Sequence, residues 1–525
     1  MSVIVIGGGG GALLAALAAR EHGADVLLLS KSLLGKGNCT AVSGAGFTAA
    51  VGGLSPRDHF EVTMKTGRNL SDRDLVNAFA SEGARALERL AEYGVDLTMG
   101  KGRATAGIGT APDAARGTSI TRPLVKKLRE SGVVIREQVM ATSILMGERG
   151  PRAVEAFDYV RGCFERLSCT AVVVATGGGG SIYDLTDNPP HTTGDGYVLL
   201  AEIGVPLRDM EFVQFYPLGF DQPGLPRWMI DLGVIDHCKL VDSDGEEFLK
   251  RRLAEWGIPS GRKANDVARD KCAIEVALAK RRGKVLLHLE ELDLSSLKLD
   301  WEKSSLGAIY KMYLRYLSKE GIAAPVPVEV GPIQHYFCGG AVIAPDGSTG
   351  IPGVYACGEV TGGVDGANRV GGNALTNLAV FGPRAGASAA AFASREKDLE
   401  TTFRQMETSH ETGESCAALQ RRLRLVCQRF LGPLRDERGL NEALRSLEEL
   451  EYLGQRVTVA TPRDTLQRIE LRNMIVTAKM VATAALLRKE SRGVHYRTDF
   501  PVEDPLQSKP ILIRLNEGTL TAEWA

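Results

Sequence analysis

The sequence predicts an α/β protein: a Rossmann-like dinucleotide-binding domain built from both ends of the chain, an inserted α+β capping domain and a C-terminal helical domain. Three observations carry this reading. Val3–Ile6 is an unbroken β-branched run that enters the glycine stretch Gly7–Gly11 and then a segment of helical composition, Ala12–Arg20. Two further short apolar strands, Ala171–Ala175 and Gly353–Cys357, also stop at glycine, in Thr176-Gly177 and Gly358-Glu359. From about Phe220 to Pro332 the texture changes to charged helices and Pro-punctuated loops, and from about Ala385 the chain is helical and charge-laced. Short apolar strands that lie far apart in sequence belong side by side in one parallel sheet, with the intervening segments as insertions.

The division expected is 1–219 and 333–390 for the two parts of the dinucleotide domain, 220–332 for the cap, 391–505 for the helical domain and 506–525 for a short extended tail. At 525 residues the chain exceeds one hydrophobic core. With 63 basic and 64 acidic residues it carries no electrostatic footprint for nucleic acid. Nine cysteines without C-x-x-C or zinc-finger spacing fit a reducing compartment and give no haem, iron–sulfur or zinc signature. No signal segment and no apolar run of membrane-spanning length is visible, so the expected location is cytoplasmic, with any membrane association made through partner subunits.

Gly7-x-Gly9-x-x-Ala12 fits the dinucleotide fingerprint, in which small residues let the backbone approach a pyrophosphate at a helix N-terminus. Taken alone, a glycine run is also what a tight turn requires. The acidic residue expected at the end of the second strand is absent, because Leu27-Leu28-Leu29 continues into Ser30-Lys31. A serine hydroxyl can still bond a ribose, and Glu359 is expected to supply the missing carboxylate. Thr176 and Gly177 close the second strand where the backbone must pass a ligand.

The stretches Met210–Pro217, His335-Tyr336-Phe337-Cys338-Gly339-Gly340, Gly358–Arg369 and Arg488–Pro501 together resemble the fumarate reductase / succinate dehydrogenase flavoprotein family, which includes L-aspartate oxidase. The resemblance spans nearly the whole chain. It implies FAD as cofactor, and contacts to it from Asn38, Cys39, Thr40, Gly46, Asp195, Arg369, Asn373, Ala374 and Leu375. It further implies a small carboxylate substrate where cap meets flavin, hydride transfer at flavin N5, and an arginine that moves the proton. The family's Arg-Asp motif matches Arg269-Asp270, and its carboxylate-binding histidine and arginine match His335 and Arg369. The bland readings are a surface ion pair for Arg269 and a core histidine for His335. An iron–sulfur or other electron-transfer partner is implied as well.

The pattern departs from the family at the far end of the substrate. A histidine is replaced by Tyr216, and anchored on Leu240–Glu246 the family's threonine, glutamate and relay arginine fall on Ile230, Asp231 and Val234. Tyr216, Arg227 or His237 would have to compensate, and restoring arginine at 234 is expected to raise kcat. Where relatives attach FAD covalently through a histidine, this chain has Cys39, so non-covalent FAD is expected. Three functions stay open: a fumarate reductase or succinate dehydrogenase type enzyme, an amino-acid oxidase of the L-aspartate oxidase kind, and a flavin electron-relay subunit with an altered substrate.

Overall fold

The computed structural model describes residues 2–108, 116–292, 305–393, 401–406 and 413–525. Its central sheet is parallel and five-stranded, in the order Val354–Ala356, Ala171–Val174, Val3–Ile6, Val26–Ser30, Val134–Glu137. The first four of these strands are apolar and buried along their length, as a sheet covered on both faces demands. The helix Gly10–Glu21 leaves the first strand and packs against the helix Asn373–Phe392. Their approach needs Gly386, where an added Cβ would stand 2.1 Å from the Ala15 carbonyl oxygen. Both ends of the chain therefore build one domain, and the strand order reverses at Val3–Ile6, where α/β sheets place their ligands.

A second sheet joins this domain to the cap. The antiparallel strands Val213–Phe220 and Val328–Phe337 start among the core residues of the dinucleotide domain, with Val213, Phe215 and Phe337, and end in a separate core containing Leu218, Phe220, Val328 and Val330. The boundaries 219/220 and 332/333 fall inside these strands, close to where the two cores meet. The cap core is completed by the helices Phe248–Glu255, Gly261–Val267, Arg269–Arg282 and Ser305–Lys319. The stretch 265–282 belongs to two helices, broken at Ala268.

The helices Cys416–Phe430, Glu437–Gly454 and Pro462–Leu487 share the main core with the dinucleotide domain. The C-terminal segment is not an extended tail. Ile511–Asn516 and Thr519–Trp524 form a hairpin that pairs with Leu207–Arg208, because Ile511 and Ile513 alternate inward and are fully buried. Arg488 fastens this end: buried completely, it pairs with Glu211 at 2.6 Å and Glu490 at 3.0 Å and donates to the carbonyls of Gln507 and Lys509.

Candidate active site

A cavity of about 1000 Å³ runs from the glycine turn to the cap. Gly7 and Gly8 form its floor. A Cβ at Gly7 would lie 2.2 Å from the Ala175 carbonyl oxygen, and one at Gly8 2.3 Å from Ser30 Oγ. Gly9 caps the helix Gly10–Glu21 without a side-chain hydrogen bond, so the first-turn amides are left to a ligand, apart from Gly10 N–H, which donates to Thr40 Oγ1. Gly9, Ser30, Lys31, Asn38, Cys39, Thr40, Gly46, Thr176, Gly177, Asp195, Glu359, Ala374 and Leu375 all line the cavity. A dinucleotide fits this volume and this cradle: the glycine floor, the amides of the helix turn, and the buried, unpartnered Thr176 Oγ1.

Some expected contacts fall elsewhere. Ala12 is fully buried beneath the turn, packed against Gly7. Asn373 is buried with its amide turned to His59 and Thr63. Glu359 does not stand in for a carboxylate at Ser30, because its strand is separated from Val26–Ser30 by two others, roughly 14 Å away at ordinary strand spacing. It accepts instead from Phe337 N–H at 3.1 Å. Beside Ser30, Lys31 Nζ is held by Asp195 at 2.7 Å and by Glu470 of the C-terminal helix at 2.9 Å, a buried triad that sequence spacing does not reveal. Burial pulls the Lys31 pKa down, but the two carboxylates more than offset it.

Burial pushes Glu359 up to about 7, against the Phe337 amide and Arg369. Because its unfolded value is near 4.5, the folded carboxyl keeps a proton that the unfolded chain gives up, and its contribution to stability falls as pH rises from about 4.5 to about 7. In flavin-free protein, Glu359→Gln should therefore gain on the parent across that window, by a few kcal/mol at most, and denaturation midpoints against pH measure it. A difference that stays flat contradicts the assignment.

At the cap end, Arg269 is the first residue of the helix Arg269–Arg282, and its guanidinium lies 5.0 Å over the Tyr216 ring. Its Nε is buried without a partner, as is that of Arg369. Arg369 Nη2 donates to Gln214 at 3.0 Å, and its guanidinium sits 4.1 Å over the Tyr336 ring. Burial lowers the pKa of Arg269, and the charge of Arg369 adds to the effect. His335 Nδ1 is 2.7 Å from Asp187 Oδ2, which leaves the other ring nitrogen available, with the ring edge-on to Tyr216. Arg269, Arg369 and His335 thus share one cavity with the glycine cradle, and the guanidiniums form an anion site.

Asp187, Asn188 and Asn265 also line the site, although no motif in the sequence marks them, and Gln214, inside the Met210–Pro217 motif, joins it through Arg369. The polar pair Asp187-Asn188 before Pro189-Pro190 is the visible hint for the first two. The Tyr216 hydroxyl donates to Asn265 Oδ1 and accepts the Leu232 N–H at 3.4 Å. Asp231 lines the cavity beside it. Arg227 does not reach the site, being paired at the surface with Asp221 at 2.9 Å, and His237 is exposed outside it. Val234 is buried in the cap core and faces no substrate space.

Cys39, at the position where the resemblance puts the attachment residue of covalent relatives, lines the cavity. Its thiol donates to Asn188 Oδ1 at 3.4 Å, and burial, with Glu359 and Asp187, holds its pKa well above the ordinary value, so it stays protonated and a weak nucleophile. Acid precipitation of the yellow protein is expected to release the flavin into the supernatant. Flavin retained in the pellet would instead implicate Cys39.

Residues 2–375 match the FAD binding domain family, and residues 420–513 match the fumarate reductase flavoprotein C-term family. One subunit of the fumarate reductase (CoM/CoB) of Methanothermobacter marburgensis is 31% identical over 98% of this chain and 96% of its own length. The L-aspartate oxidase of Streptomyces coelicolor is 30% identical over 98% of this chain and 91% of its own. Among solved structures, the flavoprotein of the E. coli quinol fumarate reductase superposes with a TM-score of 0.86 at 26% identity, covering 100% of this chain and 96% of that one. Among the described residues no helix is long and apolar enough to cross a membrane. The glycine cradle, the anion site at its cap end and these matches place the chain in the fumarate reductase / succinate dehydrogenase flavoprotein family, as an FAD-dependent oxidoreductase.

Proposed function

We propose that the protein interconverts a carboxylate-activated C=C and its saturated CH–CH counterpart. FAD, held by the glycine turn and the strand ends at Thr176 and Glu359, supplies hydride chemistry at N5. The observation that carries this reading is the pair of guanidiniums, Arg269 and Arg369, each with a buried unpartnered Nε on the wall of the cavity that continues into the cradle.

Arg369 and His335 hold the substrate carboxylate. Gln214 fixes the Arg369 fork and Asp187 orients the His335 ring, so both arrive preorganised. Drawing electron density toward that carboxylate polarises the double bond and stabilises enolate-like charge as it develops. Arg269 gives or takes the proton on the carbon next to the one that exchanges hydride; its lowered pKa brings it nearer to that task than a solvated arginine. The cap, 220–332, closes the site from above and keeps water out.

An anaerobic assay with fumarate and a reduced dye tests the reading: dye oxidation that depends on the alkene is expected. Relatives named as subunits support an electron-transfer partner for this chain. The similarly related L-aspartate oxidase supports a second reading, amino-acid oxidation, which peroxide formation dependent on L-aspartate would single out.

A further inference from the structure

The two ends of the substrate space differ in chemistry. One wall of the cavity is formed by the cap segment 228–231, which runs beside the strand Val213–Phe220: Ile230 N–H donates to the Leu218 carbonyl at 2.8 Å, and Met229 bridges to Gly219. Ile230 is fully buried in the cap core, so alternation turns Met229 and Asp231 to the cavity. Asp231 Oδ1 caps Gly233 N–H at 2.9 Å. Its carboxylate takes part in no ion pair among the described residues, and Arg269 feels its charge only through space.

The neighbouring donors are largely committed. The single Tyr216 hydrogen goes to Asn265, leaving the Asn265 amide nitrogen as the remaining donor of that pair. Arg103, which also reaches the cavity, is paired with Asp266 at 3.0 Å, and Arg262 is exposed at the rim. A second carboxylate placed at this end would face the half-buried Asp231 carboxylate, and like charges so placed disfavour binding.

We infer that the substrate carries one carboxylate, held by Arg369 and His335, and at its far end a neutral or cationic N–H or O–H donor accepted by Asp231. The inference rests on the hydride-transfer reading above and narrows its substrate class. A site built to accept a hydrogen bond discriminates against an analogue that lacks the donor, because the acceptor is left unpaired.

Three near-isosteric alkenes test it with the holoprotein: fumarate, its monoamide fumaramate and its monomethyl ester. Each is assayed for kcat/KM with a reduced dye under anaerobic conditions, and for Kd by perturbation of the oxidised flavin spectrum. Fumaramate is expected to exceed fumarate by at least about tenfold in kcat/KM, and to exceed the ester as well. Asp231→Asn keeps an acceptor for Gly233 N–H, so the turn survives, and it should cut the preference for fumaramate over fumarate at least about tenfold. A parent that prefers fumarate, or a ratio unmoved in Asp231→Asn, overturns the assignment of Asp231 while leaving the hydride-transfer reading standing. If none of the three is reduced and none perturbs the flavin, the hydride-transfer reading fails and this inference with it.

Discussion

Replacing Arg269 by Gln is expected to leave flavin content near that of the parent and to lower alkene turnover by about 10²–10⁴-fold or more, the range for loss of a positioned acid–base group, with charge stabilisation lost in addition. The expectation follows from where Arg269 stands. It opens the helix Arg269–Arg282, behind a cap residue, Ala268, that makes no side-chain bond. Burial lowers its guanidinium pKa, and the positive charge of Arg369 and the helix N-terminus act in the same direction. Among the described residues it forms no ion pair, while its neighbour Asp270 is taken by Arg68 at 2.9 Å, so a surface ion-pair role does not account for its placement. Glutamine keeps much of the length and hydrogen-bonding capacity but can neither deliver a proton nor carry charge. Because FAD is cradled by the glycine turn, the flavin-to-protein ratio serves as the control for folding. A variant that keeps a tenth of the parent kcat would show that another group is the acid.

The parts of the fold legible in sequence are those fixed by local pattern. Val3–Ile6, Ala171–Val174 and Val354–Ala356 are β-branched or apolar runs ended by glycines, and they do join in one parallel sheet. Arg269, His335 and Arg369 are legible through motif resemblance, and the fold brings them into one cavity. What local pattern cannot encode is register across long separations. The hairpin Ile511–Trp524 reads as a short extended tail until Leu207–Arg208 pairs with it. Lys31 meets Glu470 only because the C-terminal helix packs over the mouth of the dinucleotide site. Glu359 reads as a partner for Ser30 only while strand order is unknown, since the two strands between them are a property of the assembled sheet. Asn265 carries no signal of its own because its role exists only once the Tyr216 hydroxyl is beside it.

Val234→Arg should destabilise the cap rather than raise kcat, against the expectation drawn from aligning this position with a relay arginine. Val234 is only 2% exposed, in the short turn of helix Leu232–Asp236, and packs in the cluster with Leu232, Ile235, Leu249 and Ala264. The helix Gly261–Val267 lies so close on this turn that a Cβ at Gly261 would come 2.3 Å from the Leu232 carbonyl oxygen and 2.6 Å from Ile235 Cγ1, so there is no slack for a longer side chain. Overpacking alone costs about 1–3 kcal/mol. A guanidinium left there without a carboxylate adds a desolvation penalty of several kcal/mol more. The cap has its own core, so the damage should stay local: limited proteolysis is expected to cut within 220–332, while FAD remains bound to the glycine turn and turnover falls as the cap ceases to hold Arg269 in the site. Intact resistance to proteolysis together with a higher kcat would mean that position 234 opens onto the proton path after all, and that the inward packing of this turn does not describe the working enzyme.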